Sequence, residues 1–442
     1  MHQHQHPHPH PHPHPHRNTR TVLISGAGIA GPALAHWLTR HGDFRPTVVE
    51  LAPALRPGGQ AVDFRGETHL SVLHQMGIVD DLRRLQTGGS PMTFVDAHGE
   101  PVLHLPAEFA GGDIEVLRGD LSRVLYEASL PSTEYVFGDS VTSLTETATG
   151  VDVTFRHAPP RTFDLVIGAD GIHSTVRRLT FGPEADHLTH LGYYAASWSL
   201  PNDLNLRPGA GSLGHNAPGR LASVGADHTD PTRARAFFVF ASPEPGHDRR
   251  DAKTQKQLLR EAFTGLPWQV EHLLRSLASA DDLYFDSISR ADVPSWSSGR
   301  IALLGDAACG ATIGGMGTGT GIVAAYVLAG ELSRSPEDHQ GAFARYESLL
   351  RPYAQGCQKN GSRTGHFLAP ASPLGLRLRN GLLSRRRILA WMLKAGEETS
   401  TLPLPAYATT PAPTRGTTAD TVNGVNAVNA DAPTHCPSTL HR

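Results

Sequence analysis

The stretch TVLISGAGIAGPALAHWLTRHGDFRPTVVE, residues 21–50, decides the fold of this chain. An apolar run at residues 22–25 has the composition of a buried strand, and the glycine-rich GAGIAG follows it directly. Apolar residues then recur at helical spacing, before a second apolar run that ends at Glu50. This order predicts a strand, a helix and a parallel strand, which is the βαβ unit of a doubly wound sheet.

The glycines of that unit predict a dinucleotide-binding turn. Gly26, Gly28 and Gly31 match G-x-G-x-x-G, and Glu50 lies about 20 residues farther along. Gly26 permits the tight turn, Gly28 lets a pyrophosphate approach the backbone, and Gly31 lets the helix pack closely on the strand. The helix N-terminus favours the phosphate charge by roughly 0.3–1 kcal/mol. Glu50 can accept hydrogen bonds from an adenosine ribose, but the motif does not say which dinucleotide is bound.

Two later stretches repeat the pattern of a buried strand followed by glycine and an acid. RTFDLVIGADGIHSTVRRLTFG contains Asp170 and Gly171, and GRIALLGDAACG contains Asp306. The second stretch runs on into a glycine-rich loop, GATIGGMGTG, and then into the apolar helical pattern GIVAAYVLAGEL. Because glycine costs conformational entropy on folding, a dense run indicates backbone that must come close to something large and flat.

Composition excludes several classes of protein. The net charge is −3 with acidic and basic residues interspersed, so a nucleic-acid binder is not expected. The cysteines, Cys309, Cys357 and Cys436, are odd in number and scattered, which favours a reducing cytoplasm over a disulfide framework or a zinc site. No run approaches the roughly 18 apolar residues of a membrane helix, and no signal peptide is apparent. We expect a cytoplasmic protein that binds a small molecule, without a metal.

Both ends of the chain are low in complexity. Residues 1–20 alternate histidine with proline, which predicts an extended disordered tail more than a metal site. Residues 409–442 are rich in Thr, Pro, Ala and Asn and are also predicted to be disordered. In residues 377–393 basic residues flank apolar ones, which is typical of a helix that either lies on a membrane surface or docks on its own domain.

The ordered part divides into two interleaved domains and a C-terminal segment. The dinucleotide domain is predicted to be discontinuous, and it is assigned residues 21–64, 106–182 and 286–370. The strand-like runs GYYAASWSL and RARAFFVFAS place a sheet domain in residues 65–105 and 183–285, and a C-terminal helical segment follows in residues 371–408. EVLRGDLSRVLYEASL is predicted to be helical, and a β-hairpin is predicted within residues 135–157.

The three motifs GAGIAG, GADGIHSTVR and GDAA, in this order, resemble those of the group A flavoprotein monooxygenases, the para-hydroxybenzoate hydroxylase-like family. Within that family the sequences PGGQAVDFRG, VLRGDL, DLYFDSIS and GGMGTGTGIVAAYVLAGEL are similar to those of actinobacterial relatives of the tetracycline-inactivating monooxygenases. The resemblance covers about residues 21–350. It implies an α/β fold, with a glutathione-reductase-type Rossmann-like FAD domain, a substrate domain on a mostly antiparallel sheet, and C-terminal helices.

The resemblance implies bound FAD as cofactor, with NADPH or NADH as reductant. Glu50 would hold the adenosine ribose, Arg118 would contact the flavin side, and Asp306 would bind the ribityl or pyrophosphate region. Asp63 would line the flavin, Arg56 matches an arginine implicated in NADPH contact, and Asp170 with Gly171 matches a motif that serves both nucleotides. The flavin ring would lie against the loop of Gly315, Gly317 and Thr318, with the N-terminus of the following helix near its pyrimidine edge.

The activity implied is hydroxylation or other oxygenation of a small aromatic or polycyclic metabolite. A nicotinamide hydride would reduce FAD, the reduced flavin would capture O2 as the C4a-hydroperoxide, and one oxygen atom would pass to the substrate. No residue is identified as catalytic, because the cofactor carries the chemistry and the protein supplies geometry and a dry pocket. Tyr193, Tyr194 and Trp198 are candidate aromatic walls of that pocket, and the protein would be a monomer or a homodimer.

Departures from the family pattern keep other functions open. The GDAA loop reads CGATIGG and lacks the proline of most relatives, which favours an FAD-dependent oxidase or reductase as an alternative. A nonenzymatic flavoprotein that sequesters a hydrophobic metabolite is a second alternative. A halogenase would carry W-x-W-x-I-P, whereas SWSLP has a single tryptophan. Leu51 replaces the usual arginine after the ribose-binding acid, and Cys309 adjoins the GDAA motif where a covalent flavin link is conceivable.

Overall fold

The nucleotide-binding sheet is built from short apolar runs, because strands covered on both faces must be apolar throughout. In the computed structural model, which describes residues 19–89, 91–107, 112–243, 251–312, 317–385, 387–389 and 401–407, this sheet is six-stranded and all its neighbours are parallel except the terminal antiparallel pair. In spatial order its strands are Ser297–Ser298 (β17), Ile301–Leu303 (β18), Leu165–Gly168 (β11), Arg20–Ser25 (β1), Phe44–Glu50 (β2) and Glu134–Phe137 (β7).

Helices pack on this sheet and share its core. They are Ala30–Arg40 (α1), Gly66–Met76 (α2), Val79–Arg84 (α3), Arg118–Ser129 (α4), Thr175–Thr180 (α5), Asp306–Cys309 (α8), Gly317–Arg334 (α9) and His339–Gly361 (α10). Trp37 of α1 and Tyr326 of α9 are fully buried and meet edge to face at 4.9 Å between ring centroids. α1 and α9 therefore pack against each other, beside the turns that follow β1 and β18.

The second sheet has seven strands, antiparallel except where β13 pairs with β4. In spatial order they are Tyr284–Ala291 (β16), Leu188–Pro201 (β12), Arg233–Ala241 (β15), Arg220–Ala226 (β14), Ser212–Ala217 (β13), Met92–Val95 (β4) and Pro101–Leu105 (β5). Helices Ala252–Phe263 (α6) and Val270–Leu277 (α7) bury one face. Helices Thr364–Leu368 (α11) and Pro373–Leu383 (α12) cover part of the other face.

Two small sheets join the larger ones. Strands Ala61–Phe64 (β3) and Ile114–Leu117 (β6) form one antiparallel pair, and Val141–Glu146 (β8), Val151–Phe155 (β9) and Arg161–Phe163 (β10) form an antiparallel sheet of three. Short 3-10 turns occur at Leu130–Ser132 and Glu184–Asp186.

The α/β fold class, the antiparallel second sheet and the C-terminal helices agree with the prediction. The helix predicted from EVLRGDL begins only at Arg118, because the preceding residues pair with β3 as a strand. The predicted hairpin is formed by β8 and β9, whereas β7 joins the nucleotide-binding sheet beside β2.

The predicted domain boundaries need correction at two places. Residues 65–85 were assigned to the sheet domain, but buried side chains of α2 and α3 pack in the core of the nucleotide-binding domain. β16 pairs with β12 along its whole length, so the second sheet continues to Ala291 and does not end at residue 285. Long-range contacts, which leave no local pattern, decide both boundaries.

The predicted tails lie almost entirely outside the described residues. Residues 1–18 and 408–442 are not described, and Arg20 already belongs to β1. Within the described ranges no helix combines the length and apolar character needed to cross a bilayer. Residues 377–393 were predicted to lie on a membrane surface or to dock on their own domain. In this segment the guanidinium carbon of Arg379 lies 4.4 Å from the ring centroid of Phe94 in β4, so the segment docks on its own domain at this point.

Candidate functional site

Close backbone approach makes glycine obligatory at the first turn of the site. Gly26 has φ +111°, and a β-carbon on it would lie 2.5 Å from the carbonyl oxygen of Ala169. A β-carbon on Gly31 would lie 2.0 Å from the carbonyl oxygen of Gly26. Both glycines therefore have the structural roles predicted from the motif, and the ends of β1 and β11 meet at this turn.

The amino end of α1 is open to a ligand. None of the described side chains caps this helix terminus, and a β-carbon on Gly28 would contact only the guanidinium of Arg118, at 3.4 Å. Ser122 Oγ donates to the carbonyl oxygen of Gly28 at 2.8 Å and holds the loop from α4. Uncapped amides at a helix N-terminus bind anions. The arrangement fits a pyrophosphate at the N-terminus of α1, within reach of both the Gly28 backbone and the Arg118 guanidinium.

Glu50 is oriented by two backbone amides at the end of β2. Its Oε2 accepts from the N–H of Ala27 at 2.8 Å, and its Oε1 accepts from the N–H of Ala52 at 2.9 Å. Each carboxylate oxygen keeps a lone pair for a further donor. A ribose diol fits this acceptor pair. The next residue, Leu51, is 55% exposed and offers an apolar surface in place of the usual arginine.

Arg118 begins α4 and reaches over the glycine loop. Its backbone N–H donates to the carbonyl oxygen of Gln60 at 3.0 Å, and the N–H of Gly119 donates to that of Gly58 at 2.7 Å. These bonds fix the start of α4 against the PGGQ loop. Among the described residues the Arg118 guanidinium has no hydrogen-bond partner, and the side chain is exposed. A planar, permanently charged donor in this state is suited to phosphate.

Asp306 follows β18 and opens the short helix α8. A β-carbon on Gly317 would lie 2.8 Å from its Oδ1, so the first turn of α9, which also holds Thr318, passes directly beside the carboxylate. The side chain is exposed within a cleft. Desolvation by the surrounding protein raises the pKa of Asp306, and the Arg118 guanidinium opposes this shift. Arg118 and Asp306 thus face the same space.

Asp170 caps α5. Its Oδ2 accepts from the backbone N–H groups of Thr175 at 2.8 Å and Val176 at 3.1 Å, and Ser174 Oγ donates to its Oδ1. Burial raises the pKa of Asp170, and these hydrogen bonds offset part of that effect. Gly171 has φ +80°, which the turn after Asp170 requires. The first role of Asp170 is structural, and its contact with a nucleotide stays a prediction.

Arg177 ties two of the sequence motifs together. It is fully buried, and its guanidinium donates to the carbonyl oxygens of Ala307, in GDAA, at 3.0 Å and of Ile172, in GADGIH, at 2.6 Å. Its distance to the carboxylate of Glu184 is 4.0 Å. Arg177 therefore has a structural role, because it holds the GADG and GDAA segments together.

No described contact links the other three predicted residues to this cluster. Asp63 forms an ion pair with Arg65, and Arg56 is exposed on the loop before β3. Gly315 lies outside the described residues. The nucleotide contacts assigned to these residues stay predictions.

Cys309 is a buried thiol. Its Sγ donates to the carbonyl oxygen of Gly305 at 3.6 Å, and burial raises the pKa of the thiol above its usual range. A protonated, inward-facing thiol is unreactive. The geometry gives no support to a covalent flavin link at this residue.

The face of the second sheet that carries Tyr284 borders the cleft. Ser197 pairs with both Tyr284 and Phe237, and Phe237 pairs with Ser223, so these four side chains share one face. Tyr284 is 42% exposed, and partial burial raises the pKa of its hydroxyl above the usual range. The carboxylates of Asp286 and Asp306 also raise this pKa, whereas Arg118 lowers it. These charges place Tyr284 near the Arg118 and Asp306 pair.

The aromatic residues predicted to wall the substrate pocket lie elsewhere. Tyr194 and Trp198 are buried in the core beneath α6 and α7, so that interpretation was wrong for both. Tyr193 is on the other face, but it packs on Gly365 of α11, where a β-carbon would lie 2.4 Å from its ring. Successive side chains of a strand point to opposite faces of the sheet, so Tyr193 and Tyr194 lie on different faces. The sequence alone does not say which face is covered by helices.

Sequence reasoning missed two residues that shape the site. Tyr284 lies in the DLYFDSIS segment, but the sequence does not single it out, because its exposure depends on strand pairing across the sheet. His69 contacts Gly319 in the first turn of α9 and belongs to no motif. A buried histidine near a glycine distant in sequence leaves no local signal.

Comparison with known proteins supports the same cofactor. A family profile described as FAD binding domain matches residues 19–360. A flavin-dependent monooxygenase of Legionella longbeachae serogroup 1 is 38% identical over 346 residues, which cover 77% of this chain and 87% of that protein. The crystal structures of tetracycline destructases Tet(55) and Tet(51) superpose with a TM-score of 0.76 each, at 36% and 34% identity. They cover 89% and 88% of this chain and 100% of their own.

Proposed function

The chain belongs to the FAD-binding family of group A flavin-dependent monooxygenases, and from that membership we propose that it uses NAD(P)H and O2 to oxygenate a small aromatic or polycyclic molecule. One observation carries the proposal. The Arg118 guanidinium lies beside Gly28 and the Asp306 carboxylate beside Gly317, and both charges lie close enough to the exposed Tyr284 to shift the pKa of its hydroxyl.

FAD, when bound, supplies the redox chemistry: it accepts a hydride from the nicotinamide and passes electrons to O2. Different residues would hold the different parts of the cofactor. Glu50 would bind the ribose, the α1 amides and Arg118 would bind the pyrophosphate, and Asp306 would bind the ribityl chain. Gly317 and Thr318 would face the ring.

The first turn of α9 would act on the charge of the ring. The partial positive charge at a helix N-terminus stabilises a nearby anion by roughly 0.3–1 kcal/mol. Gly317 has no side chain to separate these amides from the cleft. The same amides would therefore stabilise the reduced, negatively charged flavin relative to the oxidised flavin.

The substrate would lie on the sheet face of Tyr284 and Phe237. An exposed tyrosine and a half-buried phenylalanine, on either side of Ser197, offer apolar surface for a planar ring system. Because the pKa of Tyr284 is raised, its hydroxyl stays protonated at neutral pH and can donate a hydrogen bond but cannot act as a base. The tetracycline destructases are named for a polycyclic substrate, which supports this substrate class.

A reductase or oxidase without oxygen transfer is the second candidate, favoured by the absence of proline from CGATIGG. Sequestration of a metabolite without turnover is the third. Purified protein should be yellow with bound FAD, and it should oxidise NADPH or NADH faster when a tetracycline is present. Oxygen transfer predicts that H2O2 released per NAD(P)H consumed falls below one with a true substrate. Equal amounts with every ligand would support the oxidase or reductase, and tight ligand binding without NAD(P)H consumption would support sequestration.

A further inference from the structure

His69 joins three helices directly behind the turn proposed to face the flavin. It lies in α2 and is 1% exposed. A β-carbon on Gly319 would lie 2.3 Å from both Cε1 and Nε2 of its ring. Its Nε2 is 2.8 Å from the hydroxyl of Tyr353 in α10. The imidazole thus forms the surface on which the first turn of α9 rests.

We propose that His69 is a positioning residue for the flavin: its ring sets the place of the first turn of α9, and thereby the affinity and midpoint potential of FAD. The inference rests on the proposed function, because it takes the cleft beside that turn as the flavin site. Nothing in the family motifs or in the sequence pattern identifies this histidine.

Hydrogen bonds fix both the orientation and the tautomer of the ring. The backbone N–H of Arg65 donates to Nδ1 at 3.1 Å. Since an N–H group can only donate, Nδ1 carries no proton and the proton of the neutral ring is on Nε2. Nε2 therefore donates to Tyr353. With a partner on each nitrogen, the ring cannot turn away from Gly319.

The ring also brings no charge to the helix terminus. Burial lowers the pKa of His69 to about 4, and the carboxylate of Asp113 opposes this effect only in part. At neutral pH the positive end of α9 consequently lies against an uncharged ring, and its field acts on the ligand side.

The opposite side of the same turn is held by the site itself. Gly317 passes beside Asp306, while Gly319 passes beside His69. The first turn of α9 is thus held between a cleft carboxylate and a buried imidazole. A displacement of His69 would move the amides of Gly317 and Thr318 relative to the ring.

A double-mutant cycle of His69→Ala and Gly319→Ala tests the contact. Gly319→Ala alone should weaken FAD binding at least tenfold, because its methyl group collides with the imidazole. In the His69→Ala background the same methyl group has room, so the further loss should be under twofold. Alanine is the better helix former, and the double variant should melt no lower than His69→Ala. An equal tenfold loss in both backgrounds would overturn the proposal.

The midpoint potential of bound FAD separates positioning from mere stability. His69→Ala should weaken binding of reduced FAD more than binding of oxidised FAD, and a tenfold difference lowers the potential by about 30 mV. Tyr353→Phe keeps every ring and removes one hydroxyl, so it serves if His69→Ala does not fold. A twofold difference, about 9 mV lower, is expected for it. An unchanged potential in Tyr353→Phe contradicts the proposal. Failure of wild-type protein to bind FAD contradicts the proposed function as well, whereas additive losses with FAD bound contradict this inference alone.

Discussion

Replacement of Arg118 by glutamine should weaken FAD binding and leave the fold intact. The guanidinium has no hydrogen-bond partner among the described residues and lies over the open position of Gly28. Its loss therefore breaks no internal contact, and a surface substitution of this kind changes stability by no more than about 0.5 kcal/mol. The change should therefore act on ligand binding alone.

The magnitude follows from charge-assisted hydrogen bonding. A hydrogen bond to a charged group contributes about 1.5–3 kcal/mol, which corresponds to a roughly 10- to 150-fold increase in the FAD dissociation constant. Removal of the guanidinium also takes away the charge that lowers the pKa of Asp306, so that carboxyl should titrate at a higher pH. Lysine at this position should recover only part of the affinity, because it cannot bind phosphate in a bidentate manner.

Fluorescence titration of the apoprotein with FAD measures the dissociation constant. Thermal denaturation of the apoprotein measures its stability. Arg56→Gln is the matched control, because Arg56 is another exposed arginine, on the loop before β3. It should leave the FAD dissociation constant unchanged and raise the KM for NADPH. Unaltered FAD affinity in Arg118→Gln, or a large loss of apoprotein stability, would refute the reasoning.

Three further substitutions test the rest of the site. Gly31→Ala should abolish measurable FAD binding, because its β-carbon would lie 2.0 Å from the carbonyl oxygen of Gly26, whereas Gly381→Ala, with open space at that position, should bind FAD normally; comparable affinity in the two variants would contradict the packing argument. Asp170→Ala should lower the free energy of unfolding by about 0.5–2 kcal/mol, because the backbone amides of Thr175 and Val176 lose their acceptor; an unchanged free energy of unfolding of the apoprotein in chemical denaturation would contradict this structural role. Asp306→Asn should weaken FAD binding yet raise the melting temperature of the apoprotein at neutral pH. A carboxyl whose folded pKa is raised destabilises the fold once pH exceeds that pKa, so the gain should disappear as pH falls below the ordinary value of 3.8; an equal gain at every pH would be inconsistent with the shift.

Local features of the site could be predicted from the sequence because the responsible contacts are local. Gly31 and Glu50 contact backbone of the same βαβ unit, and Gly26 has the positive φ of its turn, although its close contact with Ala169 is long-range. Arg118 and Asp306 came from motif resemblance, and the structure brings them to one cleft.

Long-range pairing decided what the sequence left unresolved. Asp170 looks like a ligand-binding acid in GADG, yet its oxygens accept from the start of α5. Tyr194 and Trp198 have the composition of a pocket wall, yet the register of β12 turns both toward α6 and α7. The contact between His69 and Gly319 spans most of the chain, so no periodicity or spacing could indicate it.

Incorporation of oxygen from ¹⁸O2 distinguishes oxygen transfer from simple oxidation of the flavin. The purified enzyme, reduced by NADPH, is exposed to ¹⁸O2 with a panel of tetracyclines and other polycyclic phenols. The masses of the organic products are then measured by mass spectrometry. The account predicts a product that carries one ¹⁸O atom, formed with bound FAD and lost in Arg118→Gln at limiting FAD. Label found only in H2O2 and water across the panel, or turnover that does not depend on FAD, would contradict it.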